Sequence, residues 1–202
     1  PFSLGNNHNL DWASSFPSTG PIMVCISWNI DSYTVGARVS EDLSKSDANH
    51  LKHQLDWMFR SEERFDEFWS ICERYDEMLM VAKTGAGALL RSGSLFEDVI
   101  KTLCTVNCTW QNTQNMVSNL CKNFGEAVPN EFERHFTFPS PEVLSGASDE
   151  NLKKTRLGFR GPWIRSFAIN VSEENINLTS WKNSKDPLAL RKELLKLWGF
   201  GP

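Results

Sequence analysis

One stretch of this 202-residue sequence decides how the rest is interpreted: Leu95-Phe96-Glu97-Asp98-Val99-Ile100-Lys101-Thr102-Leu103-Cys104-Thr105-Val106-Asn107-Cys108-Thr109-Trp110. Ser94, directly before it, is a residue type that favours helix N-caps, and the apolar residues that follow recur at helical spacing. Asn107-Cys108-Thr109 interrupts that pattern before a second amphipathic helix, which is expected to end at Gly125. The stretch therefore predicts two helices joined by a short polar loop, in which Asn107 either caps the second helix or serves a function in the loop.

Helical spacing of apolar residues also covers most of the chain around this pair. Upstream, Ser46 is expected to cap a helix, and another apolar stripe follows it. Downstream, two short helices precede a longer one and a last one. In chain order the predicted positions are Leu51, Leu55, Met58 and Phe59 for the first helix, Phe65, Phe68, Trp69 and Cys72 for the next stripe, then 141–146, 148–155, 161–172 and Pro187–Leu197.

The first part of the chain has a different pattern. Residues 1–21 are rich in Ser, Asn, Pro and Gly and are expected to be irregular. Ile22–Trp28 and Tyr33–Val39 are rich in β-branched and aromatic residues, and Asn29-Ile30-Asp31-Ser32 between them predicts a hairpin. We therefore expect an α+β fold, with a small N-terminal antiparallel β element over residues 1–45 and a mostly helical domain over residues 46–202.

Composition excludes several classes of protein. The cysteines are odd in number, five, with no C-x-x-C pair, and of the four histidines only His50 and His53 are close, so we expect reduced thiols and no metal site. No apolar run is long enough to span a membrane and no signal peptide is visible, so an intracellular location is expected. The net charge of −4 speaks against nucleic-acid binding, but the region 150–165 is locally basic, with Lys153, Lys154, Arg156, Arg160 and Arg165 against a single Glu150.

Two further segments carry candidate binding residues. The last helix ends in Leu197-Trp198-Gly199-Phe200-Gly201-Pro202. Two glycines allow a tight turn, and a helix after such a turn points free N–H groups at a phosphate. Taken alone, the segment is more typical of a glycine-capped helix end followed by a disordered tail. The other segment is Phe138-Pro139-Ser140-Pro141-Glu142, followed by Leu157-Gly158-Phe159-Arg160. Phe159 is either a core residue or an exposed wedge.

Taken in order, the three segments resemble the helix-hairpin-helix DNA glycosylases, and most closely the 8-oxoguanine and 3-methyladenine group. The resemblance covers about residues 89–202. It implies an HhH-GPD body and an enzyme of base-excision repair that flips a damaged purine out of duplex DNA and cleaves its N-glycosyl bond. The implied partner is double-stranded DNA with a damaged base, bound by a monomer, with no membrane.

The resemblance also assigns roles to particular residues. It implies that Asn107 enters the DNA stack at the orphaned base, that Phe159 wedges between bases, and that Arg160 contacts the estranged base or nearby backbone. Gly199, Phe200 and Gly201 would grip the DNA backbone, where a monovalent cation can bind; no other cofactor is implied. The family's arginine for the orphaned cytosine falls on Asn112, so a strict preference for cytosine is not expected.

The catalytic residues remain unknown at this stage. In the family, an Asp, and in bifunctional members a Lys that adds lyase activity, follow the hairpin and would lie beyond Pro202. We therefore expect the 202 residues alone to lack glycosylase activity. A non-catalytic DNA-binding fragment and an unrelated helical interaction protein are the alternatives.

Overall fold

The computed structural model describes residues 2–4, 10–29, 34–129 and 135–201, and it opens with a four-stranded antiparallel sheet. The predicted hairpin strands are confirmed, and the buried side chains Ile22, Val24 and Ile26 alternate along the longer one. Residues 30–33 of the predicted turn lie outside the described residues. The strands, adjacent in chain order, are β1 (Phe2–Leu4), β2 (Leu10–Phe16), β3 (Gly20–Asn29) and β4 (Thr34–Val39).

The prediction that residues 1–21 are irregular is wrong. β2 pairs with β3 along its whole length, from Leu10 opposite Ile26 to Phe16 opposite Gly20. Its pattern is hard to read because Ser14, a polar residue, is buried next to apolar Ala13, which blurs the alternation. The strand forms because its neighbour offers a complete ladder of hydrogen-bonding partners, which is information that lies outside the segment.

Helices make up the rest of the described chain, so the predicted α+β class is confirmed. No helix among the described residues is long and apolar enough to cross a membrane. The helices are α1 (Lys45–Phe59), α2 (Asp66–Cys72), α3 (Leu79–Thr84), α4 (Leu95–Thr105), α5 (Trp110–Phe124), α6 (Pro141–Ser145), α7 (Asp149–Lys154), α8 (Arg160–Ser172), α9 (Leu178–Lys182) and α10 (Pro187–Leu194), with a 3-10 turn at Asp76–Met78.

Helix ends follow local capping chemistry, with two corrections. The Asp47 amide donates to Ser44 Oγ at 3.1 Å, so Ser44 caps α1 and the prediction of Ser46 is wrong. Ser94 caps α4 as predicted, through the Glu97 amide at 3.2 Å. The last helix ends at Leu194, three residues before the predicted end, and a series of turns follows.

The helix end at Gly125 is confirmed, but for a different reason than predicted. Its φ is −81°, so it does not use the left-handed conformation of a glycine C-cap. A Cβ at this position would overlap the carbonyl oxygen of Thr137, where residues 125–128 run alongside residues 135–137. Glycine is needed here because two backbone segments approach each other closely.

Two hydrophobic clusters form the core. The first joins the sheet to Leu51 and Met58 of α1, and the second joins α4 and α5 to α6, α7 and α8. The first cluster thus extends across residue 45, where strands give way to helices. Residues 91–93, which lead into α4 of the second cluster, contact the first, since the Arg91 amide donates to the Met58 carbonyl at 3.0 Å and Gly93 lies against the ring of Trp12.

Candidate nucleic-acid interface

The loop between α4 and α5 presents Asn107 to solvent. Val106 leaves the helix with φ −61° and ψ 123°, and Asn107 then adopts φ 45°, in the left-handed region that Asn tolerates better than most residues. The Asn112 amide donates to Thr109 Oγ1 at 3.3 Å, so Thr109, not Asn107, caps α5. Among the described residues the exposed Asn107 side chain makes no hydrogen bond, which leaves its amide free for a ligand.

Cys108 of the loop and Thr113 of α5 hold the loop to the end of α4. The carbonyl of Cys104 accepts from Cys108 Sγ at 3.0 Å and from the buried Thr113 Oγ1 at 3.2 Å. These bonds satisfy a carbonyl at the end of α4 that has no partner within the helix. The loop is therefore built from fixed contacts on its protein side.

Phe159 lies on the surface at the start of α8. Its side chain is 51% exposed, which excludes the core role, and its ring meets the edge of Trp163 at a centroid distance of 5.0 Å. Single exposed apolar side chains are normal on protein surfaces, so exposure alone does not assign a role to this ring. The position suits a wedge, although insertion between bases stays a prediction.

Arg160, the next residue, points inward. It is 6% exposed, and its guanidinium donates through Nε to the Val106 carbonyl at 3.1 Å and through Nη1 to the Leu157 carbonyl at 3.3 Å; Nη2 also donates to Val106. The guanidinium carbon lies 4.3 Å from the centroid of the Phe159 ring. A direct contact with DNA, as the resemblance implies, is not visible in this arrangement and stays a prediction.

The predicted hairpin lies against the other two segments. Gly199 has φ 90°, and a Cβ on it would be 2.7 Å from Leu103 Cδ2 in α4 and 2.8 Å from Trp163 Cε3 in α8. The Phe200 side chain is partly buried against the helical core. Its amide donates to the Leu197 carbonyl at 3.4 Å. Gly201 is exposed, and Pro202 lies outside the described residues.

The structure thus brings the three predicted segments onto one surface. Arg160 ties the Asn107 loop to the Phe159 turn, and Trp163 joins that turn to Gly199. These segments are separated by about fifty residues and by about forty residues in the sequence, so their proximity is a property of the fold. A surface with an exposed amide, an exposed ring and a glycine turn is suited to binding, not to bond cleavage.

The predicted basic cluster is divided. Lys153, Lys154 and Arg156 are exposed, and Lys153 and Arg156 border the same depression as Gly158, next to Phe159. Arg160 is buried, and Arg165 Nη1 pairs with Asp149 Oδ1 at 2.8 Å. Three cations of the cluster therefore remain to attract an anionic ligand.

A cavity of about 820 Å³ opens on the other side of the Asn107 loop, between α4, α5 and residues 89–91. Thr105 and Trp110 line it at the loop end, and Trp110 is 70% exposed. Sequence reasoning did not single out Trp110; the available signal was an aromatic residue at the first position of a helix, where it is not needed for the core. The cavity provides a flat ring and hydroxyl groups close to Asn107.

Two buried cysteines near this surface, Cys104 and Cys121, are not nucleophiles at neutral pH. Burial raises the pKa of Cys104 to about 12 and that of Cys121 to about 11, so both stay as thiols. Among the described residues, no group of His, Cys, Asp or Glu side chains is arranged to hold a metal ion. The candidate site offers recognition chemistry within the described residues.

Proteins of known structure or function share parts of this architecture. No family model matches the chain. A curated relative, "Probable N-glycosylase/DNA lyase" from Methanothermobacter thermautotrophicus, is 23% identical over 172 residues, which are 75% of this chain and 54% of the relative. The chain therefore spans about half the length of that relative.

Solved structures match the whole chain at low identity. MBOgg1 in complex with a low affinity DNA ligand has a TM-score of 0.75 and 20% identity, with 65% of its chain covered. The 3-methyladenine DNA glycosylase from Archaeoglobus fulgidus has a TM-score of 0.77 and 16% identity, with 67% covered. The apo 8-oxoguanine glycosylase/lyase of Clostridium acetobutylicum has a TM-score of 0.75 and 16% identity, with 66% of its chain covered. This chain therefore has the fold of the 8-oxoguanine and 3-methyladenine DNA glycosylases over the part of them that it spans.

Proposed function

We propose that this protein is a DNA N-glycosylase of base-excision repair that extrudes a damaged purine from duplex DNA and removes it. The observation that carries the proposal is the convergence of Asn107, Phe159 and the Gly199 turn on one surface. Each feature is weak alone, because exposed amides, exposed rings and glycine turns are common. Their connection by direct contacts supports one common ligand.

Each group of this surface has a physical task in opening a duplex. The backbone of the 199–201 turn binds phosphate without reading sequence. Phe159 inserts its exposed ring at the lesion, which offsets an unstacking cost of about a few kcal/mol per base step. Asn107, held outward with its amide free, fills the space that the extruded base leaves. A monovalent cation beside the phosphate at this turn is part of the same proposal.

The extruded base is proposed to enter the cavity beside the loop. Trp110 at its rim offers a face for stacking, and Thr105 offers a hydrogen-bonding hydroxyl. The structural neighbours include enzymes named for 8-oxoguanine and for 3-methyladenine, so both oxidised and alkylated purines are candidate substrates. Exposed Asn112, at the family's arginine position, favours a relaxed choice of opposite base.

We assign cleavage of the N-glycosyl bond to the whole protein. Its location is proposed to be intracellular. The relative named as a glycosylase and lyase extends well beyond the matched part, as do the structural neighbours. A carboxylate for the sugar cation, and an amine if the enzyme is also a lyase, are expected from that part of the protein. The chain in hand supplies DNA binding and base extrusion.

The binding step can be tested on this chain. Its affinity is measured by fluorescence anisotropy for a duplex with a tetrahydrofuran abasic-site analogue and for the intact duplex. We expect preferential binding of the first, and loss of that preference in the double variant Asn107→Ala, Phe159→Ala. Leu188→Ala is the control, because Leu188 is 70% exposed on α10 and takes no part in the proposed surface.

Base release is tested with duplexes containing 8-oxoguanine or 3-methyladenine. Release by the full-length protein confirms the function, and the substrate cleaved identifies the lesion. DNA binding without release by that protein would favour the non-catalytic module. Equal affinity for both duplexes with no salt dependence, or no affinity, would favour a helical interaction protein.

A further inference from the structure

The Arg160 guanidinium is buried and contacts the loop that carries Asn107. Its Nε and Nη2 both donate to the Val106 carbonyl, across 54 positions of sequence, and Nη1 donates to Leu157. Met116 Sδ lies 3.9 Å from Nη1 on the buried side. None of the ion pairs among the described residues includes Arg160. A buried cation is costly unless hydrogen-bonded, so these bonds fix its position.

The Val106 carbonyl belongs to the peptide group whose nitrogen is that of Asn107. Two donors on one carbonyl restrain the plane of this peptide, whose orientation enters both ψ of Val106 and φ of Asn107. That φ is 45°, a conformation that non-glycine residues adopt at a cost and keep only when their surroundings impose it. The hydrogen bonds from Cys108 and from Thr113 of α5 go to the Cys104 carbonyl, two residues earlier, and not to this peptide.

We propose that Arg160 is a positioning residue, which imposes the left-handed conformation of Asn107 and holds its loop in register with the Phe159 wedge. The inference rests on the proposed function for its consequence in DNA binding, but not for its structural content. Because the ring of Phe159 stacks on the same guanidinium, one side chain supports both groups that enter the duplex. A loop held in the bound conformation before binding loses less entropy when DNA arrives.

Two variants remove the bonds in different ways. Arg160→Met keeps an unbranched apolar side chain and removes every donor. Arg160→Lys keeps the charge but loses the planar fork of donors, and it serves if the Met variant does not fold. Arg74→Met is the matched control, since Arg74 is an exposed arginine after α2, far along the chain from the loop.

The first measurement needs no DNA. The coupling between the amide and α protons of Asn107, with its Cα and Cβ chemical shifts, reports φ by NMR spectroscopy. We expect both Arg160 variants to leave the left-handed values and Arg74→Met to keep them. Unchanged values in a folded Arg160 variant would overturn the proposal, whether or not the protein binds DNA.

The second measurement is a double-mutant cycle with Asn107→Ala on the abasic-analogue duplex. We expect Arg160→Met to weaken DNA binding about tenfold when introduced into the parent and hardly at all when introduced into the Asn107→Ala variant. The salt dependence of binding should stay that of the parent. A loss that persists beside Asn107→Ala, with a salt slope lower by about one, would assign Arg160 to a phosphate contact and overturn the proposal. If the parent does not distinguish the two duplexes, the proposed function fails, and the Asn107 coupling alone decides the positioning role.

Discussion

At the scale of single residues, Asn107 combines a backbone requirement with a side-chain role, and two substitutions separate them. Asn107→Gly tolerates φ 45°, whereas Asn107→Ala is strained there by about 1 kcal/mol. We expect the Ala variant to lose stability in urea denaturation and the Gly variant to lose much less. Both should lose the preference for an abasic-analogue duplex, because neither has an amide to fill the gap. An Asn107→Gly variant that binds like the parent would show that the side chain is not used.

Gly199 is a second position where one residue decides local structure. Gly199→Ala places a Cβ 2.7 Å from Leu103 and 2.8 Å from Trp163 and strains a φ of 90°. We expect the free energy of unfolding to fall by about 1–3 kcal/mol, with a lower melting temperature. DNA binding should also weaken.

Gly201→Ala provides the control for that substitution, since an added Cβ would meet nothing within 4 Å. Its stability should match the parent. Equal melting temperatures for the Gly199→Ala and Gly201→Ala variants would mean that the turn does not lie against α4 and α8 as described.

At the scale of elements, the sequence was sufficient where the signal is local. Ser94 caps α4 as predicted, because its hydroxyl accepts a hydrogen bond from an amide only three residues away, and the spacing of apolar residues around Leu103 marks the buried face of the helix. The cap of α5 was not predicted, since Asn107 was the candidate and Thr109 accepts the bond. β2 was missed because its stability comes from its pairing with β3. Arg160 was assigned to the surface for the same reason: a charged residue is buried only when remote carbonyls receive it, and Val106 is 54 positions away.

The end of α1 gives a prediction about pH. Glu63 accepts from Arg60 at the left-handed C-cap of α1, and also from Arg91 at 2.6 Å. The hydrogen bond from Arg60, helped by the charge of Arg91, holds the pKa of Glu63 below its ordinary value of 4.5. A lowered folded-state pKa means stability that is present above the unfolded-state pKa and is lost as pH falls through the folded-state pKa.

The variant Glu63→Gln isolates this contribution. We expect it to reduce the free energy of unfolding at pH 7 by about 0.5 kcal/mol, a small value because the side chain is partly exposed. The difference from the parent should begin to shrink as pH falls below 4.5 and should vanish once the pH is below the folded-state pKa, as measured by urea titrations across that range. Glu62→Gln is the control, because it removes the neighbouring carboxylate and leaves the bonds of Arg60 and Arg91 to Glu63 in place. A pH-independent loss in Glu63→Gln would point to packing instead of charge.

At the scale of the whole molecule, net charge is a poor guide to what this protein binds. The net charge is −4, but acidic residues concentrate before residue 81, whereas Lys153, Lys154 and Arg156 are exposed beside the Phe159 turn. Electrostatic attraction to DNA depends on the cations within reach of phosphates, because each neutralised phosphate releases a counterion. Repulsion from distant acidic groups is largely screened beyond about 8 Å at physiological ionic strength. An acidic protein can therefore bind DNA through one local surface.

The salt dependence of binding should therefore come from these three cations. Replacing Lys153, Lys154 and Arg156 together by Gln should flatten the slope of log K against log salt concentration by up to about 2.7, that is, about 0.9 for each phosphate that is no longer neutralised. Replacing exposed Lys45, Arg74 and Lys83 by Gln changes the net charge equally but removes cations from the part of the chain before α4, so its slope should equal that of the parent. The slopes come from anisotropy titrations between about 50 and about 200 mM salt. Equal flattening in both triple variants would show that the overall charge governs binding; flattening in the first alone assigns the DNA to the face that carries Asn107, Phe159 and the Gly199 turn.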